Sequence, residues 1–138
     1  MNFLRKIFRL VSLFIVFMFG VSELSFCQTS KGPIAEFDMV SYDFGEILQG
    51  KNTEVVFTLT NKGEFPLVIE DINVSCGCTL VNWKDDPILP NQSSKIVVKY
   101  NTNIIGSIKR SIVVNTNDRY NDRILLMLTG NVVSSYED

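Results

Sequence analysis

The sequence predicts an all-β protein: a Greek-key sandwich of about seven strands behind a short N-terminal export segment. Three observations lead there. Between residues 34 and 134, short apolar/polar alternations recur, separated by clusters of Gly, Pro, Asn and Asp. No part of that region sustains a helical period with caps. Residues 1–27 have the make-up of a secretory signal rather than of a packed element.

That N-terminal segment comes first. Met1 to Arg9 carries Arg5, Lys6 and Arg9 and no acid, and the apolar run LVSLFIVFMFGV follows. A basic stretch and an apolar stretch of this length make a signal peptide and are too short for a comfortable membrane span. Cys27 lies at the junction, in LSFCQTSKG. Small residues at the last and third-last positions before a cut, here Ser25 and Cys27, predict a mature chain that starts at Gln28. The alternative is a lipoprotein in which Cys27 is acylated and tethers the domain to a membrane. Leu24 suits that alternative, whereas Phe26 is bulky for it. Without residues 1–27 the chain keeps 10 basic and 14 acidic residues, a net charge of −4. Only Lys109 and Arg110 are adjacent bases, so no basic stripe forms, which argues against nucleic-acid binding.

Residues 28–33 (QTSKGP) form a polar leader, and the domain occupies 34–134. Phe37, Met39 and Val40 open a first strand that SYDFGEI continues with Tyr42 and Phe44. LQGKN is a turn. EVVFTLTN alternates cleanly and places Val55, Phe57 and Leu59 on one face. NKGEFP is a second turn. LVIEDINV offers Leu67 and Ile69, then Ile72 and Val74, and this change of phase predicts a bulge near Glu70–Asp71. The loop WKDDPILPNQSS precedes KIVVKY, with Ile96, Val98 and Tyr100 inward. After NTNIIG, SIKRSIVVNTN supplies Ile108, Ile112 and Val114. DRYND turns the chain into RILLMLTGNVV, with Ile124, Leu126 and Leu128 on one face. Leu125 and Met127 on its other face suggest a central strand, and residues 135–138 are a tail. A domain of this size buries enough core to stand alone.

The mature chain has two cysteines, both in Ser75-Cys76-Gly77-Cys78-Thr79. An oxidising compartment exposes them to oxidants. Residues i and i+2 of a straight strand lie about 6.6 Å apart, the edge of the range a disulfide spans, so a bridge needs a bend at Gly77. It would stabilise little: closing a three-residue loop yields about 1.6 kcal/mol before strain. Strained small-loop disulfides are the reducible kind. Two thiolates could instead hold Cu(I), whereas zinc would need carboxylates such as Asp71, Asp85 or Asp86, since no histidine exists. A thiol–disulfide exchange site is a third reading. Against it stand the β surroundings and the acidic neighbours Asp71, Asp85 and Asp86, opposed only by Lys84. The plainest reading makes a cysteine a small buried hydrophobe at a strand end. Trp83 reads as a packing residue. The missing histidine also argues against most hydrolytic chemistry, and no catalytic residue is assigned.

The segments YDFGEILQGKNTEVVFTLTNKGEFPLVIEDINVSCGCT, PILPNQSSKIVVKYNT, GSIKRSIVVNTND and LTGNV occur in this order. Together they resemble the DUF1573 family, exported bacterial domains common in Bacteroidetes. The resemblance spans about Phe37 to Val133. It implies an immunoglobulin-like sandwich, similar to ASH and PapD-like domains, and leaves the biochemistry undefined. Asn91 stands where the family usually has Gly, and Asn tolerates the left-handed turn. The expectation is a secreted or periplasmic, non-enzymatic binding or scaffolding module of the envelope, without cofactor. A protein partner could add a strand to a sheet edge. The alternative is thiol chemistry at Cys76 and Cys78, either Cu(I) handling or redox exchange. Intact-mass measurement of the exported protein should show a chain starting at Gln28, and an acylated Cys27 would contradict this reading.

Overall fold

The computed structural model describes residues 1–18 and 32–134. Cys27 and the tail lie outside the described residues. Asn2–Met18 forms a helix, α1, within the segment read as the export signal. No described helix is long and apolar enough to cross a membrane.

The domain has eight strands in two four-stranded sheets. They are β1 (Ala35–Phe37), β2 (Ser41–Leu48), β3 (Thr53–Asn61) and β4 (Ile69–Val74). β5 (Thr79–Asn82), β6 (Ser93–Tyr100), β7 (Gly106–Thr116) and β8 (Arg123–Val133) complete them. One sheet has the order β1-β3-β6-β5 and the other β2-β8-β7-β4. All pairs are antiparallel except β2 with β8.

The alternations become the two inner faces. Val55, Phe57 and Leu59 of β3 and Ile96, Val98 and Tyr100 of β6 line one face. Ile108, Ile112 and Val114 of β7 and Ile124, Leu126 and Leu128 of β8 line the other. Each such side chain contributes about 1.5–3 kcal/mol on leaving water. The expected bulge in β4 is present, as a register shift between Ile69 and Asp71. β8 is central by pairing, but its outer face is uncovered: Leu125 is 52% exposed.

One run divides where the sequence suggested a single strand. Phe37 ends β1 in one sheet, and Ser41 starts β2 in the other. Asp38 causes the break. Its Oδ1 accepts from the N–H groups of Met39 and Thr58, both at 2.9 Å, which ties the crossing to β3. The N–H of Met127 then donates to the Val40 carbonyl at 2.9 Å, starting the pairing with β8. β2 bulges between Asp43 and Glu46 and runs close over Gly130, where a Cβ would stand 3.0 Å from the Gly45 carbonyl oxygen.

Polar side chains lock the pole where the chain enters. Asn61 is fully buried and satisfies both ends of its amide. Its Nδ2 donates to the carbonyls of Phe65 (2.7 Å) and Ile88 (2.8 Å), while Oδ1 accepts from the N–H groups of Gly63 (2.9 Å) and Ile34 (3.4 Å). This bonding explains the NKGEFP motif: its asparagine holds the turn and the loop opposite. Asp118, 2% exposed, accepts from the N–H groups of Ala35 and Tyr120 at 2.9 Å and Asn121 at 3.3 Å. It thereby joins β1 of one sheet to the β7–β8 turn of the other. Asn91 has φ 63°, so the left-handed turn expected of it forms.

Replacing Asp118 by Ala should strand three N–H donors at this pole. A loss of about 3 kcal/mol in urea unfolding is expected, against less than about 0.5 kcal/mol for Asp122→Ala on the exposed side of the same turn.

Candidate functional site

The chain leaves β4 at Val74, an edge strand of one sheet, and enters β5 at Thr79, an edge strand of the other. Residues 75–78 are the crossing, so the Cys-Gly-Cys segment forms a corner of the sandwich. It faces the β1–β2 crossing across the molecule, since β1 and β2 are the opposite edges of the same two sheets.

Backbone bonds hold the corner on both sides. The Ser75 N–H donates to the Ser111 carbonyl at 3.0 Å, and the Ser111 N–H donates to Ser75 Oγ at 3.1 Å. The Asn101 N–H donates to the Cys78 carbonyl at 2.8 Å, and the Thr79 N–H to that of Cys76 at 3.4 Å. This bend brings the Cα atoms of Cys76 and Cys78 to 5.4 Å, within disulfide range, and the two are bonded to each other. Both residues are partly exposed, and Cys78 also packs against the core. The corner is therefore a bonded pair at the surface rather than buried free thiols.

Gly77 is exposed and lies outside the left-handed region, and a Cβ there would meet nothing within 4 Å. The bend expected of this glycine is present, but it does not depend on the glycine's special freedom. Thr79 is buried, and its Oγ1 has no hydrogen-bond partner. Trp83 packs against the core, as its sequence reading holds, with its indole N–H buried and unpartnered.

The charge beside the sulfurs differs from the expectation. Arg110 Nε donates to Cys78 Sγ at 3.4 Å. Among the described residues no carboxylate pairs with Arg110; its Nη1 donates to the Lys109 carbonyl at 3.0 Å. Asp71 binds the Asn73 amide at 2.7 Å instead, and neither Asp85 nor Asp86 contacts the sulfurs. The acidic surroundings inferred from sequence proximity are thus replaced by a guanidinium from across the sheet. A readable signal was present: Arg110 lies in phase with Ile108, Ile112 and Val114, a charged residue in the core-facing row of β7. Such a residue needs a partner, and here the partner is sulfur.

Two clefts flank Cys78. One, of about 370 Å³, is lined by Lys51, Gly77, Leu80, Lys99 and Asn101 among others, and by no carboxylate. The second, of about 100 Å³, lies between Cys78, Ile104, Ile105 and Arg110. No group of three or more His, Cys, Asp or Glu side chains among the described residues could share a metal ion, so a metal here would rest on the two sulfurs alone.

Two packed sheets, crossed by the chain at both lateral edges, define an immunoglobulin-like β-sandwich. The fold's neighbours agree. An ASH/PapD-like domain of human CEP192 matches with a TM-score of 0.62 at 10% identity, covering 73% of this chain and 86% of that one. A protein of unknown function from Porphyromonas gingivalis W83 matches with a TM-score of 0.66 at 16% identity, over 72% of this chain. This chain spans 46% of that protein. The VesB protease of Vibrio cholerae matches at 0.61 and 12% identity, over 70% of this chain and 31% of the protease. No curated protein matches the sequence. The chain belongs to the DUF1573 family, described as proteins of unknown function, whose model matches residues 35–132.

Because the corner is held by backbone bonds on both flanks, replacing both Cys76 and Cys78 by Ser should cost little stability. Urea unfolding is expected to shift by no more than about 1.6 kcal/mol. A loss above about 3 kcal/mol would make the disulfide a true structural staple.

Proposed function

We propose that this protein is a non-enzymatic binding module of the bacterial envelope, exported by its N-terminal segment, which takes up an extended partner segment along β5. The state of the four sheet edges supports this. β1 is three residues long, β2 is bulged, and β4 is bulged and carries Glu70 and Asp71. Short, bulged and charged edges resist pairing. β5 is also short, at four residues, but it pairs with β6 without a register shift, has no charged residue, and holds Leu80 at 72% exposure. Beside it a shallow cleft of about 340 Å³ runs between Glu54, Leu80, Asn82, Val97 and Lys99. A regular, uncharged edge next to an apolar side chain suits main-chain pairing with a partner strand, one of whose apolar residues covers Leu80.

A second reading concerns the Cys76–Cys78 corner, and the Arg110 contact favours it. Of its two forms, Cu(I) handling suffers from the guanidinium, because one cation beside Cys78 Sγ repels another. Redox exchange gains from it, because a cation stabilises a thiolate.

A photo-crosslinking residue at position 80 in the envelope of the native host should give an adduct mapping to one extended segment. The same residue at Tyr120, equally exposed at the opposite pole, should not. Equal adducts at both positions, or none at 80, would refute the β5 assignment.

A further inference from the structure

We propose that the Cys76–Cys78 disulfide opens in one direction: an external thiolate attacks Cys76, and Cys78 leaves as a thiolate beside Arg110. The inference rests on the redox reading of the corner. Its substrate class is a thiol, and for a full turnover a dithiol.

The two sulfurs are not equivalent. Cys78 packs against the core and receives the Nε–H of Arg110 at 3.4 Å. Cys76, as partly exposed as Cys78, is not among the residues packed on the core, and its Sγ accepts the uncharged backbone N–H of Cys78 at 3.4 Å. The sulfur near the cation makes the better leaving group, since negative charge gathers on it as the bond breaks. Arg110 is well suited to this, because no carboxylate among the described residues competes for it. Its strand is tied to the corner by the Ser75–Ser111 bonds, and its Nη1 donates to the Lys109 carbonyl at 3.0 Å. The backbone bonds of Ser75 to β7 and of Cys78 to Asn101 do not involve the sulfurs, so they survive reduction. The frame therefore keeps both sulfurs in place in either redox state, which preorganises the reverse step.

The step balances as follows. The incoming thiolate forms a bond to Cys76 Sγ as the Cys76–Cys78 bond breaks, and its electron pair passes to Cys78 Sγ. A second thiolate of the partner attacks the partner's own sulfur in the mixed disulfide and releases the Cys76 thiolate. The partner's two thiol protons end on the two cysteines. The partner is oxidised to a disulfide, and the protein is reduced by two electrons. Arg110 makes no covalent bond in this sequence; its Nε–H on Cys78 Sγ, a reacting atom, decides which sulfur carries the charge.

Regiochemistry tests the proposal on the folded, mature protein. Brief reaction with glutathione, quenching with an alkylating agent and fragmentation of the corner peptide should show glutathione on Cys76 and the alkyl group on Cys78. Arg110→Gln should slow opening about tenfold and scatter glutathione over both sulfurs. Arg110→Lys should restore the single product. Glutathione on Cys78 in the wild-type protein, or an Arg110→Gln variant with unchanged rate and product, would overturn the assigned direction. A folded protein inert to glutathione that reacts only in denaturant would instead overturn the redox reading beneath it.

Discussion

Two apolar faces must meet and stay dry, and the rest of the molecule is arranged around that demand. Each sheet is four strands wide, and the inner rows of β3, β6, β7 and β8 supply most of the fully buried apolar side chains, among them Phe57, Leu59, Ile96, Val98, Ile112, Val114, Leu126 and Leu128. Packing of this kind supplies most of the stability, but a pair of flat sheets leaves open flanks and ragged poles. The flanks are narrowed by sending the chain from sheet to sheet at both, through Asp38 on one and the cysteine corner on the other. The pole where the chain enters is tied by two buried polar side chains, Asn61 and Asp118, whose bonds reach segments distant in sequence. Their burial is affordable because nearly every polar atom they carry finds a partner.

The corner at Cys76–Cys78 follows a different logic from the corner at Asp38. At Asp38 a carboxylate accepts two backbone N–H groups, and the crossing has no further chemistry. At the cysteines the backbone bonds already secure the crossing, so the covalent link adds little to the fold. It lies beside a half-buried guanidinium in the core-facing row of β7. A weakly stabilising bond, a charge held against it and partial exposure form a combination suited to exchange more than to stapling. The β5 edge starts at the next residue, so binding at the edge and chemistry at the corner would share one end of the sandwich.

Much of this was legible in the chain. The strict alternation of EVVFTLTN and KIVVKY specified strands and their inward faces, since a one-residue slip would put every apolar side chain in water. The change of phase between Ile69 and Ile72 marked the bulge. The split of β1 from β2 is not legible there, because Met39-Val40 breaks the alternation no more visibly than a bulge does. Only the bonds of Asp38 to β3 reveal it as a crossing. At the site, the spacing showed that a bridge required a bend, and the structure has that bend.

The charge around the sulfurs could not be read that way. Sequence neighbours were acidic, and proximity along the chain stood in for proximity in space. Arg110 is 32 residues from Cys78 and reaches it because β4 pairs with β7. By itself the sequence determined the two-sheet fold, its inner faces, the family and the place of the cysteines at a strand end, because period and turn chemistry are local properties. Only the tertiary structure decided which sulfur meets a cation, which sheet edge stays bare and which flank each crossing closes, because those depend on which strands become neighbours, and pairing is set by the core as a whole.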